Sequence, residues 1–228
     1  MAGEGTQAWT LVDLLAEPTR RAAYDALRAA RAPMTRDEVA AAVGVTRQLA
    51  AFHLDQLAEA GLLDVDYARP PGRSGPGAGR PSKRYAVAAR DVAVSVPPRR
   101  YDLVARILAA GIAAGGDPTD ATLAAAEAEG RRVGEVHRRA KPLSRRASLA
   151  AAANVLAELG YEPAVQRGTV LLRNCPFDAA VQVAPELVCG MNQRFVAGLL
   201  DGMNADPHVT PLLRPAPPDC CVRIATRP

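Results

Sequence analysis

Apolar and polar positions alternate along this chain with two different periods, and the changes of period mark its elements. From Pro18 to Ala30 the pattern is helical, with Ala22, Leu27 and Ala30 predicted on one face and Pro18 at the first helical position. A second helix is predicted over 36–43. Thr35 and Glu38 have capping-box spacing, Met34 and Val39 flank the cap as a hydrophobic staple, and Gly44 supplies the stop. Thr46 then caps a third helix over 47–60 that ends at Gly61. Val45, Ala50, Leu54 and Leu57 point to the packed side of that pair. Beyond Gly61 the period drops to two: Leu63, Val65 and Tyr67 predict a strand, and Tyr85 with Val87 its return.

Two helices joined by a glycine turn, followed by a strand pair, form a plan that presents the start of the third helix outward. Thr46, Arg47, Gln48 and Ala51 lie there, and His53 just beyond. In a DNA groove, Arg pairs with guanine and Gln with adenine. His53 has two readings, a phosphate contact or a half-buried packing residue. The hairpin between the strands is rich in Gly and Pro and holds no carboxylate from Tyr67 through Arg90. Arg73, Arg80, Lys83 and Arg84 there are candidate phosphate contacts. A basic but solvated linker is the plainer alternative.

Further along, a helix over 101–114 carries a predicted apolar stripe of Leu103, Val104, Ile107, Leu108 and Ile112. An Ala/Glu/Arg-rich helix over about 119–140 and another over 146–159, stopped by Gly160, follow it. One of these helices is expected to form a homodimer interface, because helix-turn-helix readers bind two half-sites through two-fold symmetry. Two short strands turn at Arg167-Gly168, a helix runs from Pro185 to about Met203, and Val222 with Ile224 suggests a last strand. The predicted fold class is therefore α+β. The expected organisation is a winged helix-turn-helix over 1–97, a helical, dimerising segment over 98–160, and a small α/β effector domain over 161–228.

Composition narrows the chemistry. The net charge is only +4, and arginine outnumbers lysine 26 to 2, so the placement of cations says more than their sum. Neither a secretory pattern nor a membrane-length apolar run is present in the sequence, and a cytoplasmic protein with no membrane partner is expected. Four cysteines in a reducing compartment favour metal or redox chemistry over a disulfide framework. Cys175 falls at a strand end, Cys189 in the first turns of a helix, and Cys220 and Cys221 at a strand start. Thirteen residues separate Cys175 from Cys189, and thirty separate Cys189 from Cys220, neither spacing being a Cys-x-x-Cys pair. Dispersed cysteines of this kind serve as buried apolar residues, as soft-metal or cluster ligands, or as redox thiols. A cysteine-nucleophile enzyme with His137 or His208 as base is a weaker alternative, since neither lies in a catalytic motif.

Ala16-Glu17-Pro18-Thr19-Arg20-Arg21 and the run from Phe52 to Leu63 resemble the winged helix-turn-helix of the ArsR family of bacterial regulators. The cysteines typical of that family's metal-responsive members do not occur in this region. The contexts Asn174-Cys175-Pro176-Phe177, Val188-Cys189-Gly190-Met191 and Cys220-x-Val222-x-Ile224 resemble those of the SufR family of repressors of iron–sulfur assembly. That resemblance implies a repressor that binds a double-stranded DNA operator and holds a [4Fe-4S] cluster on Cys175, Cys189 and Cys220. Cys221 is the alternate to Cys220, and the fourth ligand is open among water, Asp219 and His208. Zinc, thiol oxidation and a small-molecule pocket are the competing effector readings.

Overall fold

The computed structural model describes residues 4–68, 81–89, 95–215 and 219–226, and it divides into two compact units, Met1–Val94 and Ser95–Pro228. In the first unit, α1 (Glu4–Ala16), α2 (Pro18–Ala30), α3 (Arg36–Val43) and α4 (Arg47–Glu59) accompany a three-stranded antiparallel sheet. The sheet has the order β1 (Met34–Thr35), β3 (Ser82–Val87), β2 (Leu63–Ala68). Local signals set the helix starts. Glu17 caps α2 by accepting from the Thr19 and Arg20 amides, and Thr35 and Glu38 form a complete capping box on α3. Thr46 Oγ1 accepts the Leu49 amide at 3.2 Å on α4. Gly44 closes α3 in the left-handed conformation (φ 75°) that a side chain disfavours.

The core of this unit gathers Leu11, Ala23, Leu27, Val39, Leu54, Leu57, Leu62, Leu63 and Tyr85. The inward face of α2 thus runs through Ala23 and Leu27, an i, i+4 pair, and the expected Ala22 and Ala30 face water. One residue of rotation separates these faces, and in an alanine-rich helix the pattern carries little contrast to fix it.

The second unit contains α5 (Tyr101–Ala114), α6 (Pro118–Val136), α7 (Arg145–Glu158), α8 (Asp178–Val183) and α9 (Pro185–Gly202). Its antiparallel sheet has the order β4 (Pro163–Gln166), β5 (Thr169–Leu172), β7 (Val222–Thr226), β6 (Val209–Leu213). The β4–β5 turn is Arg167-Gly168, both at positive φ (47° and 77°), which suits a tight antiparallel hairpin.

Residues on both sides of position 160 pack together. Leu103, Val104 and Ile107 of α5, Ala126 of α6 and Leu149 and Leu156 of α7 share one buried core with Val170, Phe177, Phe195 and Ile224. α5 packs on α6, α6 on α9, and α7 and α9 meet the sheet, so the helices and the sheet close one interior. Ile112, placed on the apolar stripe by periodicity, is 74% exposed. Gly111 takes the inward position instead, where an added Cβ would lie 2.7 Å from Thr122 Oγ1.

Small residues also bring α6 and α9 together. Gly130 and Gly134 on α6 meet Gly198 and Gly202 on α9 backbone to backbone. A Cβ on Gly130 would fall on the Phe195 carbonyl oxygen, and one on Gly198 on the Glu127 carbonyl oxygen. Both lie far inside the 3.0 Å that real Cβ atoms keep. This contact fixes α9, the helix that carries Cys189.

Candidate DNA interface and cysteine cluster

On the first unit, Thr46, Arg47 and Gln48 stand exposed at the start of α4, and Ala51 is half-buried one turn on. Leu49 and Phe52 are exposed beside them, 40% and 54%, a feature that polarity patterns gave no reason to expect. The three described cations of the interface each have a carboxylate partner. Arg47 Nε meets Asp37 at 2.7 Å, Lys83 Nζ meets Asp55 at 2.5 Å, and Arg84 grips Asp66 through Nε at 2.9 Å and Nη2 at 2.6 Å. Asp55 also accepts from the Tyr85 hydroxyl at 2.7 Å. Burial pushes the Asp55 carboxyl up, but the hydrogen bonds from Lys83 and Tyr85 outweigh it and hold the group below the usual carboxylate range. Pairs as open to water as these are weak, and their carboxylates are displaceable by another anion.

His53 is corrected as a phosphate contact. It is 5% exposed, its Nδ1 lies 3.5 Å from Glu17 Oε2, and its ring meets Phe52 edge-on at 5.3 Å. Its position is set by α4's packed face, adjacent to Leu54, and it belongs to the interior. Arg73 and Arg80 lie outside the described residues.

In the second unit the four cysteines converge. Cys175 follows β5, Cys189 sits in the first turns of α9, and Cys220 and Cys221 precede β7. Cys220 (2% exposed) and Cys221 (9%) are buried, while Cys175 and Cys189 are half-buried. The thiols lie close enough to act on one another's ionisation: Cys175 with Cys220, Cys220 with Cys221, and Cys221 with Cys189. Burial and these neighbours together favour the neutral thiol at Cys175, Cys189 and Cys220. The Cys175 thiol is pushed far above its ordinary range by its hydrogen bond to Cys220 and by burial. At Cys220 the bond to Cys175 acts downward, yet Cys221 and burial prevail and push the thiol up to about 11. Burial raises Cys189, with its bond to Cys221 working against the rise.

Polar neighbours frame the cluster. Asn192 Nδ2 donates to Cys220 Sγ at 3.3 Å, and Asn192 Oδ1 accepts from the Tyr161 hydroxyl at 2.6 Å. On the other side, Arg99 Nη1 donates to Asn174 Oδ1 and, at 2.9 Å, to the Cys175 carbonyl. Asn174 Nδ2 donates to the carbonyls of Pro98 at 2.9 Å and Gly160 at 2.5 Å, and the Arg100 amide donates to the Pro176 carbonyl at 3.0 Å. The chain segment 98–100 is thereby clamped to the loop that bears Cys175. Asn192 lies three residues after Cys189, a same-face helical spacing that was readable in the sequence. Arg99 and Asn174 are 75 residues apart and gave no such signal.

Among the described residues, no three His, Cys, Asp or Glu side chains stand in an arrangement that holds a single metal ion. In chemistry, the donor set nonetheless fits a thiophilic centre: soft sulfurs, little water, and an N–H donor aimed at one of them. No helix among the described residues is long and apolar enough to cross a membrane.

Residues 15–66 match the family model described as a helix-turn-helix domain. No curated protein and no solved structure matches the chain. The match spans α2, β1, α3, α4 and the first residues of β2, the region that exposes Arg47 and Gln48, and it identifies this unit as the DNA-binding module of a transcriptional regulator.

Proposed function

We propose that this DNA-binding regulator is a winged helix-turn-helix repressor whose cysteine-bearing unit senses iron–sulfur cluster status. The observation that carries the proposal is the convergence of all four cysteines, brought from β5, α9 and the approach to β7, into one largely buried cluster. Cys175, Cys189 and Cys220 are held toward the neutral thiol by burial and by their neighbours, and a cation bound among them would supply the charge that favours thiolates. Cys175, Cys189 and Cys220 would hold a [4Fe-4S] cluster, which supplies an oxidant- and supply-sensitive charge centre at the buried end of the site.

On the DNA side, α4 enters the major groove, with Arg47 and Gln48 reaching base edges and Thr46 holding the helix end against the backbone. Lys83 and Arg84 on the wing exchange their carboxylates for phosphates. Two copies in a homodimer place two recognition helices about 34 Å apart on a double-stranded operator.

The 98–100 clamp connects the two activities. The second unit begins at Ser95, directly after the first ends at Val94, and residues 98–100 are bonded to the Asn174-Cys175-Pro176 loop. A change in ligation at Cys175 therefore acts on the chain that tethers the DNA-binding unit. The test is the absorbance spectrum with iron and acid-labile sulfide counts on protein purified without oxygen. Matched iron and sulfide support the reading. Protein that stays colourless through reconstitution overturns it in favour of zinc, thiol or small-molecule sensing.

A further inference from the structure

α9 buries nine residues, and one of them is polar without being glycine: Asn192, 1% exposed between Met191 and Phe195. An amide at such a position is costly unless its hydrogen bonds are made. Both ends are used here. Oδ1 accepts from the Tyr161 hydroxyl at 2.6 Å, and Nδ2 donates to Cys220 Sγ at 3.3 Å. Tyr161 is itself 2% exposed and packs edge-on against Phe177, ring centroids 6.2 Å apart, so the hydroxyl cannot swing away. The backbone of Cys220 is fixed as well, its amide donating to the Leu172 carbonyl of β5 at 2.8 Å. The relay Tyr161 to Asn192 to Cys220 thus runs through three nearly fully buried side chains.

A thiolate is acceptor-only, and an N–H donor held at fixed range stabilises it where water is excluded. Among the described residues, the side-chain N–H hydrogen bond to a cysteine sulfur is the one from Asn192, and it goes to Cys220. We propose that Asn192, buttressed by Tyr161, is a positioning residue that makes Cys220, rather than its neighbour Cys221, the buried thiolate ligand of the site. The proposal rests on the reading of this cluster as a metal-holding site and adds the choice between the vicinal cysteines together with the residue that makes it.

The test uses the full chain, cluster-free and without oxygen, titrated with Co²⁺ while the sulfur-to-cobalt charge-transfer band is recorded. Cys220→Ser loses one thiolate's share of the band, and Cys221→Ser keeps the wild-type band. Asn192→Leu retains the fold by circular dichroism but shifts the band and weakens Co²⁺ binding about tenfold, the usual scale for losing a hydrogen-bond partner of a ligand. Tyr161→Phe, which removes a single oxygen, moves both in the same direction by less and serves if Asn192→Leu does not fold. Wild-type affinity and an unshifted band in Tyr161→Phe and in folded Asn192→Leu overturn the proposal, as does a band lost with Cys221 and kept without Cys220. Those results leave the metal-holding reading standing. A wild-type protein with no sulfur-to-cobalt band overturns that reading and this proposal together.

Discussion

Replacing Asn174 by alanine tests whether the clamp on the Cys175 loop is structural in the sense the account requires. Asn174 is 7% exposed and makes three hydrogen bonds: from Arg99 Nη1 to its Oδ1, and from its Nδ2 to the carbonyls of Pro98 and Gly160. At a net value of about 1 kcal/mol each, their loss destabilises the second unit by about 3 kcal/mol. For a unit of this size, about 3 °C per kcal/mol converts that to a melting shift of about 10 °C. Calorimetry on the full chain reads the shift in the transition of residues 95–228. Arg99→Ala removes one of the same bonds, the bond to the Cys175 carbonyl and a 3.8 Å ion pair to half-exposed Asp178, so it lowers the same transition by less. A shift below about 2 °C in Asn174→Ala would refute the reasoning, because it would mean water replaces all three bonds without penalty.

Other consequences follow from the packing and the charges. Gly198→Ala drives a methyl group into the Glu127 carbonyl, so α6 and α9 must separate; a loss of about 2–4 kcal/mol is expected in chemical denaturation, well beyond a helix-propensity effect. Thr46→Ala removes the cap on α4 and is expected to cost about 1 kcal/mol in the first unit's unfolding transition. Asp55 is held below the ordinary carboxylate range, so its contribution is complete above that range and is lost as pH falls through the lowered value. Acid unfolding of Asp55→Asn should accordingly lack part of the wild-type slope below about pH 4. Lys83→Gln should weaken DNA binding evenly across sequences and reduce the salt dependence by about one counterion.

How far the sequence carried the account depends on the range of each interaction. The capping box at Thr35 and Glu38, the Thr46 cap, Pro18 and the Gly44 stop act within four residues, and their positions follow from local residue order alone. The α2 face was misread by one residue because alanine on every side leaves little contrast, and Ile112 was placed inward where Gly111 is needed against Thr122. The helix α1, the short α8 and the strand β6 offered no strong period. His53 sits beside Leu54 on a half-polar helix, so spacing did not decide its side; packing against Glu17 and Phe52 did. The cysteines themselves stood out, yet what surrounds them did not. The Tyr161–Asn192, Asn192–Cys220 and Arg99–Asn174 bonds span 31, 28 and 75 residues, and no local pattern encodes such partners.

On the proposed reading, the state of the cysteine cluster sets DNA occupancy through the 98–100 clamp. Its most direct test is an oxygen-free anisotropy titration of one labelled duplex with cluster-loaded and cluster-stripped protein, the duplex being first selected from random-sequence DNA by the loaded form. Tight binding is expected when loaded, with a loss of at least about tenfold (about 1.4 kcal/mol) on stripping, and a much smaller difference in Arg99→Ala. Equal affinity of the loaded and stripped forms for the selected duplex would contradict it.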